Sequence, residues 1–396
     1  MNSLGGIKSF TKYLIREIDE PNEIVLIDKF AINENYSSTY LDNELKDLLL
    51  HKSNVKYFQF NLLNTSRLKE FLSTLSSIDF VIDLTVDMNF NSSALLHIQS
   101  SLISYNLGKL LSNYSIKSYL KLSYPFYHFN NKPSDENDNL IPHGDRGIWS
   151  HQSLYSLATI PNLPLVILRI GAWYGDHEFF GKITPRLICA HIYHHLNEDM
   201  KFLWSDNLQL NTIHIHDVAR AIIQLSYWRS SVDNSTLQST LNDVHPHADK
   251  QTLQQFNLPI VDSKVKAPLF NIVDDSNATQ SSVADKISSF FNIKITFLGN
   301  LVSTFAQADI DQMVDDVNEK HLEAWNDMLK LSGISDTPLT PYLDEHFFKK
   351  NPISLDNNKI KSYLNFTFIH NNGLTIDHIK QIVDGFKENK LWPQIN

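Results

Sequence analysis

Apolar residues along the chain follow two alternating patterns. Residues 7–20 carry apolar side chains at helical spacing and stop before Pro21, which predicts an amphipathic helix. The next segment reads Glu23-Ile-Val-Leu-Ile-Asp28, an apolar run typical of a strand buried on both faces of a parallel sheet. The two patterns then recur, which predicts strands at 55–60, 79–84, 118–123 and 163–170 and helices at 66–75, 92–114 and 148–159.

The alternation of strand and helix predicts an α/β fold, a doubly wound parallel sheet with right-handed crossovers and helices on both faces. At 396 residues the chain exceeds one core, so a second, smaller and mostly helical unit is expected. We expect the sheet unit to span 1–175, with 211–228 and 268–275 returning to it. The remainder, 176–210 and 276–396, is the predicted C-terminal substrate unit.

The second half of the chain has a weaker pattern. Apolar spacing predicts helices at 181–199, 217–228 and 279–291, and strands at 211–216 and 270–273. Residues 130–147 and 230–255 are polar and predict loops, and 302–350 predicts irregular helices.

Composition narrows the function classes. The 44 acidic residues outnumber the 34 basic ones, for a net charge of −10, so a nucleic-acid backbone would be repelled. The single Cys189 excludes a disulfide framework within the chain and a thiolate metal cluster, and fits a reducing, cytoplasmic location. The longest apolar stretch, 163–173, contains Arg169, so no membrane span is expected.

A possible phosphate-binding turn lies at the start of the chain. Gly5 and Gly6 precede the first predicted helix, which Ile7 begins, and glycines there let backbone amides approach a pyrophosphate. A flexible leader has the same composition. Asp28, 22 residues after Gly6, ends the next strand, where a carboxylate accepts hydrogen bonds from an adenosine ribose or simply forms a turn. The adjacent Lys29 would tolerate a 2′-phosphate, which leaves NAD and NADP open.

Several segments resemble, in order and spacing, the extended short-chain dehydrogenase/reductase superfamily. They are Asn61-Leu-Leu63, Asp79–Thr85, Leu120–Ser123, Leu165–Gly175 and Asn211–Ala221. The resemblance covers nearly the whole chain and is nearest to a fungal type of NAD-dependent epimerase/dehydratase-like protein. It implies a Rossmann-type fold, NAD or NADP as cofactor, and a nucleotide sugar or related polyol or carbonyl compound as substrate. It also implies further cofactor contacts at Asn61, Leu62, Leu84, Thr85 and Val86.

The chain departs from the family at its phosphate-binding turn. Lys8 and Thr11 stand where the family has its later glycines, and the first strand shortens to about Met1–Leu4. Close packing of a dinucleotide against this turn is therefore in question.

The predicted active site departs further. The family uses a Tyr as general acid/base with a Lys four residues later, and the matching positions here are Trp149 and Ser153. Indole exchanges no proton at neutral pH, so Trp149 is expected to be non-catalytic. Ser123 matches the family residue that orients the substrate hydroxyl. His151 is an alternative proton carrier or a structural side chain.

Other ionisable side chains offer alternatives. Tyr124, Tyr127 and Tyr155 are possible proton carriers and equally possible core residues. His191, His194 and His195 have a spacing that metal ligands use, but with no carboxylate in a recognisable motif we expect a solvated helix face and no metal. His214 and His216 are expected to wall the substrate cleft. Arg169, within an apolar strand, must find a polar partner.

Three functional hypotheses remain open. The first is an NAD(P)-dependent oxidoreductase of the epimerase/dehydratase kind with a non-standard proton carrier. The second is a catalytically inactive cofactor-binding protein, a sensor or assembly factor, which the missing Tyr and Lys favour. The third is a scaffold that has lost the dinucleotide. The long helices 92–114 and 148–159 could pair two copies as a homodimer.

Overall fold

The computed structural model describes residues 7–18, 23–33, 36–261 and 263–394, except for the side chains of residues 7–9 and 308. The strands are β1 (Ile24–Asp28), β2 (Val55–Gln59), β3 (Phe80–Asp83), β4 (Ser118–Ser123), β5 (Tyr127–His128), β6 (Ile141–Pro142), β7 (Leu165–Ile170), β8 (Ala172–Tyr174), β9 (Met200–Phe202), β10 (Thr212–His214), β11 (Leu241–Val244), β12 (Val265–Ile272) and β13 (Ile295–Phe297). The helices are α1 (Ile7–Glu17), α2 (Asn43–His51), α3 (Thr65–Thr74), α4 (Ala94–Leu111), α5 (Gly144–Ala158), α6 (Thr184–Leu196), α7 (Ile215–Ser231), α8 (Asn234–Ser239), α9 (Lys250–Gln255), α10 (Gln280–Phe291), α11 (Gly299–Ala306), α12 (Ile310–Leu331), α13 (Glu345–Phe348), α14 (Asn358–Leu364) and α15 (Ile376–Glu388).

The central sheet has the strand order β11-β12-β7-β4-β3, and its neighbours run parallel except for β11 against β12. Every residue of β7 is buried, which explains its continuous apolar run in the sequence. β1 and β2 form a parallel pair, and Val25 and Ile27 of β1 pack against the same apolar cluster as Val81 of β3. The predicted first strand, Met1–Leu4, lies outside the described residues.

Helices cover both faces of the central sheet, because alternate strand residues point to opposite sides. On one face, Leu120 and Val166 pack with residues of α1 and α7. On the other, Tyr119 and Ile167 pack with residues of α4 and α5. The predicted doubly wound α/β architecture is confirmed.

A separate apolar cluster forms the core of the C-terminal half. α6, α10, α12 and α15 contribute Ile188, Ile287, Met328 and Ile382, all at most 1% exposed. The segment for which irregular helices were predicted contains the 22-residue amphipathic α12. None of the helices in the described ranges is long and apolar enough to cross a bilayer. The predicted domain boundaries and the two-fold pairing through helices 92–114 and 148–159 stay predictions.

The structure differs from the sequence prediction mainly in where elements begin. α7 begins at Ile215, two residues early, because the Nδ1 atom of His214 accepts the backbone N–H of His216 at 3.1 Å and caps the helix. The segment 230–255 is not a loop throughout but contains α8, β11 and α9. The carboxylates of Asp233 and Asp249 cap the two short helices, a local signal that hydrophobic periodicity does not reveal.

A buried ion pair joins β3 to β4. The Nζ atom of Lys121 donates to Asp83 Oδ1 at 3.1 Å, to the backbone oxygen of Thr85 at 2.7 Å and to Ser104 Oγ at 3.0 Å. The hydroxyl of Tyr119 donates to Asp83 Oδ2 at 2.8 Å. Burial raises the pKa of Asp83, but the Lys121 ammonium and the hydrogen bonds from Thr85 outweigh burial and hold that pKa below its ordinary value. The network closes the space beneath the carboxyl ends of both strands.

Substitution of Lys121 tests how much this network stabilises the fold. Lys121→Met should lower the free energy of unfolding by about 3 kcal/mol, because Asp83 stays buried without its cation. Urea unfolding followed by circular dichroism measures the change. The matched control is Lys117→Met, since Lys117 pairs with Asp79 at 2.7 Å on the surface and should lose less than about 1 kcal/mol. Equal losses in the two variants would contradict the assignment.

Candidate functional site

Most residues predicted to contact a cofactor follow the carboxyl ends of three strands. Asp28 and Lys29 end β1, Asn61 and Leu62 follow β2, and 84–86 follow β3. Ligands of open α/β sheets bind at this edge. The carboxylate of Asp28 accepts the backbone N–H of Lys29 at 2.6 Å and that of Phe30 at 3.4 Å. Asp28 therefore closes its own turn, whatever else it binds.

The predicted phosphate-binding turn, Gly5-Gly6, lies outside the described residues. Ile7 begins α1, and its side chain is likewise outside them. The second half of α1 contacts the carboxyl edge, where Tyr13 donates to Asp176 at 3.2 Å and stacks on His216 at 4.8 Å. Thr11 is buried, so a side chain fills the place of a family glycine.

Trp149 and Ser153, which the resemblance matches to the family's Tyr and Lys, make structural contacts inside the protein. Trp149, 4% exposed, belongs to an apolar cluster with Ile98, Leu253 and Leu258. The hydroxyl of Ser153 donates to the backbone oxygen one turn earlier in α5, at 2.6 Å. The cavity lined by both residues measures about 10 Å³, about the space of one water molecule.

Arg146, at the start of α5, closes the same crevice. Its guanidinium donates to the backbone oxygen of Met88 at 2.9 Å. The same group lies over the ring of Phe126 at 4.1 Å and over that of Phe90 at 5.3 Å. In this conformation, the crevice between the end of β3 and α5 has no room for a substrate.

Ser123, Tyr127 and His151 form a buried hydrogen-bonded chain. His151 Nε2 lies 2.8 Å from the backbone oxygen of His245, which can only accept, so Nε2 carries the hydrogen. His151 Nδ1 then accepts from the Tyr127 hydroxyl at 3.1 Å, and Tyr127 accepts from Ser123 at 3.2 Å. The guanidinium of Arg169 lies 5.1 Å from the Tyr127 ring and donates to Asn271.

The hydrogen bonds from Ser123 to Tyr127 and from Tyr127 to His151 point in one direction, as in a proton relay, but His151, the base at the end, is weak. Burial lowers the pKa of His151 to about 3, far below the phenol value of about 10. None of Ser123, Tyr127 and His151 lines the small cavity beside Trp149 or the larger cavity in the C-terminal half of the chain. Tyr124 and Tyr155 are also buried, and the Tyr155 hydroxyl lies 2.7 Å from the backbone oxygens of Val261 and Ser263, to one of which it donates.

Three histidines meet at the start of α7. Ring nitrogens of His214, His370 and His378 lie within 4.8 Å of one another, a distance that metal ligands use. The Nδ1 atoms of His214 and His378 accept backbone N–H groups at 3.1 and 3.3 Å. In each of these two neutral rings the Nδ1 lone pair is therefore used, and the hydrogen is on Nε2. Neither ring then offers a metal ion the free lone pair that it needs. The cluster therefore fits a structural clasp between α7 and the segment 370–378 better than a metal site.

The histidines of α6 do not share one environment. His191 is buried and stacks on Trp392 at 5.3 Å, whereas His194 is exposed. The expected solvated face is wrong for His191, because this side of α6 packs on the C-terminal core.

The C-terminal half contains a cavity of about 280 Å³ that faces the N-terminal turn of α6. Among the described residues that line it, none carries a carboxylate and four are cations: Lys182, Arg186, Lys201 and Lys349. The first two are half-buried and lie beside a helix N-terminus, which itself attracts anions. Such a concentration of positive charge is unexpected in a chain of net charge −10.

Burial perturbs both inner cations of the cavity. Burial, together with the charges of Arg186 and Arg146, lowers the pKa of Lys182 to about 7, while Asp344 acts in the opposite direction. Burial also lowers the pKa of Arg186 to about 10. Lys182 donates to the backbone oxygen of Asn351 at 2.8 Å, so the inner cations have polar contacts but little charge compensation. An anion in the cavity would supply that compensation.

Cys189 lines the same cavity beside His321 and Tyr193. Its Sγ atom lies 3.8 Å from His321 Nδ1, and His321 Nε2 lies 3.4 Å from the Tyr193 hydroxyl. Burial raises the pKa of Cys189 to about 12 and lowers that of His321 to about 4. The pair is therefore neutral at pH 7, and the thiol is a poor nucleophile.

No motif recognised in the sequence indicates this cavity. Its inner cations come from the Lys182-Ile-Thr-Pro-Arg186 segment. The helix dipole favours acidic residues at a helix N-terminus, so two basic residues at the start of a predicted helix were the one signal in the sequence that could have indicated them. Further lining residues come from β9, the segment 203–210, α12 and the segment 343–351, and only folding brings those segments together.

The chain matches no protein-family model and no curated protein sequence. Solved structures do match its fold. Pal from Bacillus thuringiensis is 12% identical over 97% of both chains, with a TM-score of 0.61. WbmG from Bordetella bronchiseptica, solved with NAD and UDP, is 11% identical over 96% of this chain and 92% of its own, with a TM-score of 0.59.

A third similar structure is UDP-glucuronic acid 4-epimerase from Bacillus cereus, solved with UDP-glucuronic acid and NAD. It is 12% identical over 98% of both chains, with a TM-score of 0.59. At this identity the likeness shows a shared fold. The chain therefore has the Rossmann-type α/β fold of NAD-dependent epimerases and dehydratases, as its sequence predicted.

Proposed function

We propose that this protein binds a nucleotide sugar or related phosphorylated compound in the cation-lined cavity and NAD or NADP at the carboxyl edge of the sheet. The main support for this proposal is the set of side chains that line the cavity. Lys182, Arg186 and the N-terminus of α6 form a region that favours a pyrophosphate, whereas Lys349 is already paired with Glu345 at 2.6 Å.

Aromatic side chains complete the cavity. Phe202 and Trp204 line it, and the guanidinium of Arg186 lies 5.5 Å from the Phe202 ring. A flat ring bound next to these side chains would have apolar contacts on one side and a cation on the other. The fold likeness adds support, because the WbmG and UDP-glucuronic acid 4-epimerase structures contain UDP or a UDP-sugar together with NAD.

The geometry favours binding without turnover. Trp149 packs into an apolar cluster where the family carries its acid/base, and the cavity beside it has room for about one water molecule. His151 is too weak a base at neutral pH to remove a phenolic proton. We therefore favour the catalytically inactive, cofactor-binding alternative over an epimerase or dehydratase.

A second candidate function is hydride transfer on the bound sugar through a non-standard proton carrier. The directional chain Ser123–Tyr127–His151 favours it, because the chain contains the residue expected to orient the substrate hydroxyl. Turnover would require Trp149 or Arg146 to move and open the crevice.

Substitution of Arg186 tests the cavity. Arg186→Gln should weaken UDP-glucose binding ten- to a hundredfold, because a charge-assisted hydrogen bond contributes about 1.5–3 kcal/mol. Isothermal titration calorimetry measures the affinity. Arg67→Gln is the charge-matched control, since Arg67 is exposed and pairs with Glu70 on α3. Equal affinities in the two variants would place the ligand elsewhere.

The pH dependence of the same titration identifies Lys182. Lys182 has a pKa of about 7 in the free protein, and a bound anion raises that pKa, so binding takes up a proton. The affinity should be constant below pH 7 and fall between pH 7 and 9, whereas Lys182→Met should abolish this dependence. A pH-independent affinity in the parent protein would exclude Lys182 from the site.

The dinucleotide is tested separately at β1. Asp28→Ala should weaken NADH or NADPH binding about tenfold, because the ribose hydroxyls lose a charged acceptor. Quenching of tryptophan fluorescence measures the binding. Asp79→Ala, an exposed carboxylate before β3, is the control. If Asp28→Ala binds as tightly as the parent, Asp28 does not contact the dinucleotide.

Product analysis separates binding from turnover. We expect no product from a panel of UDP- and dTDP-sugars incubated with the protein and NAD or NADP. The second candidate instead predicts a product that Tyr127→Phe abolishes while UDP-glucose binding is retained. Any such product would refute the binding-only proposal.

A further inference from the structure

α11 exposes an apolar stripe to solvent. Four residues at positions i, i+3, i+4 and i+7 share one face of this helix, the arrangement of an amphipathic helix that packs on something. They are Leu298, Leu301, Val302 and Phe305, exposed by 37%, 73%, 50% and 73%. Ser303 is the buried residue of α11, so the helix presents its apolar side outward.

The stripe begins in the cation-lined cavity. Leu298 lines the cavity and has helical backbone angles, so the stripe runs from the cavity wall onto the surface. Hydrogen bonds hold α11 at the rim, since Gly299 donates its N–H to Trp204 at 2.9 Å and Trp204 donates its N–H to Ser303 Oγ at 2.6 Å. Gln307 donates to the backbone oxygen of Phe348 at 3.2 Å at the other end. Trp204 and Phe348 both line the cavity.

The cavity itself is amphipathic. Two of its cations, Lys182 and Arg186, lie at the start of α6, while Met200, Leu298 and Met313 contribute apolar wall. An exposed apolar patch continuous with a ligand cavity commonly marks a binding surface. A ligand with a charged group at Lys182 and Arg186 and an apolar group toward Leu298 would match both parts.

We propose that the cavity and the α11 stripe together bind one soluble anionic amphiphile, whose phosphate contacts Lys182 and Arg186 and whose alkyl, acyl or prenyl chain covers Leu301 and Phe305. The inference rests on the proposed function and extends its ligand class to phosphorylated compounds that carry an apolar chain. The apolar stripe is then the part of the binding site that the chain of the ligand covers.

A chain-length series tests the inference. The probes are butyl, hexyl and octyl phosphate, each titrated by calorimetry below its micellar concentration into the full-length protein. The affinity should rise about fourfold for each methylene placed on the stripe, the ratio that corresponds to about 0.8 kcal/mol. Hexyl to octyl phosphate should therefore gain about fifteenfold.

Variants separate the chain from the phosphate. Leu301→Ser with Phe305→Ser should bind all three probes within about twofold of one another, and both side chains are exposed enough for the variant to fold. Leu331→Ser, an equally exposed leucine at the far end of α12, should keep the full chain-length dependence. Arg186→Gln should weaken binding of all three probes.

Each other outcome overturns the inference. If the parent protein binds butyl phosphate and UDP-glucose without chain-length dependence, the amphiphile is refuted and the proposed function stands. If no phosphate compound binds, both fall. If sedimentation shows a parent dimer that Leu301→Ser with Phe305→Ser converts to a monomer, with no chain-length dependence in either, the stripe is an interface between two copies.

Discussion

Lys182 and Arg186 lie at the N-terminal turn of α6, close to the positive end of its helix dipole and to each other. Each of these interactions is repulsive, and burial strengthens them because less water screens the charges. Burial is the main cause of the fall in the pKa of Lys182 to about 7, and the charges of Arg186 and Arg146 contribute to it. A region of uncompensated positive charge costs stability, so its presence is best explained by an anion that restores the balance when it binds.

The sheet edge has the opposite character. There, Lys121 pairs with Asp83, and Arg146 donates to the backbone oxygen of Met88 and lies over two aromatic rings. Trp149 adds apolar packing where an acid/base would act. The cation-lined cavity therefore lies in the C-terminal half and not at the sheet edge.

The two regions are nevertheless coupled by charge. Arg146, which closes the crevice, lowers the pKa of Lys182 in the cavity, and Asp344 acts on both cations in the opposite direction. An anion at Lys182 would change the balance of forces on Arg146.

The sequence by itself determined the fold class, because buried parallel strands such as β7 require apolar runs and their alternation with helices permits few topologies. It also determined that Trp149 and Ser153 stand where the resemblance would place a Tyr and a Lys, since residue identity needs no coordinates. Tertiary structure alone decided the contact partners of Ser123 and His151 and the cation-lined cavity. The reason is physical: Lys182, Lys201 and Lys349 are far apart in sequence, and their shared environment exists only once α6, β9 and the segment after α13 pack together.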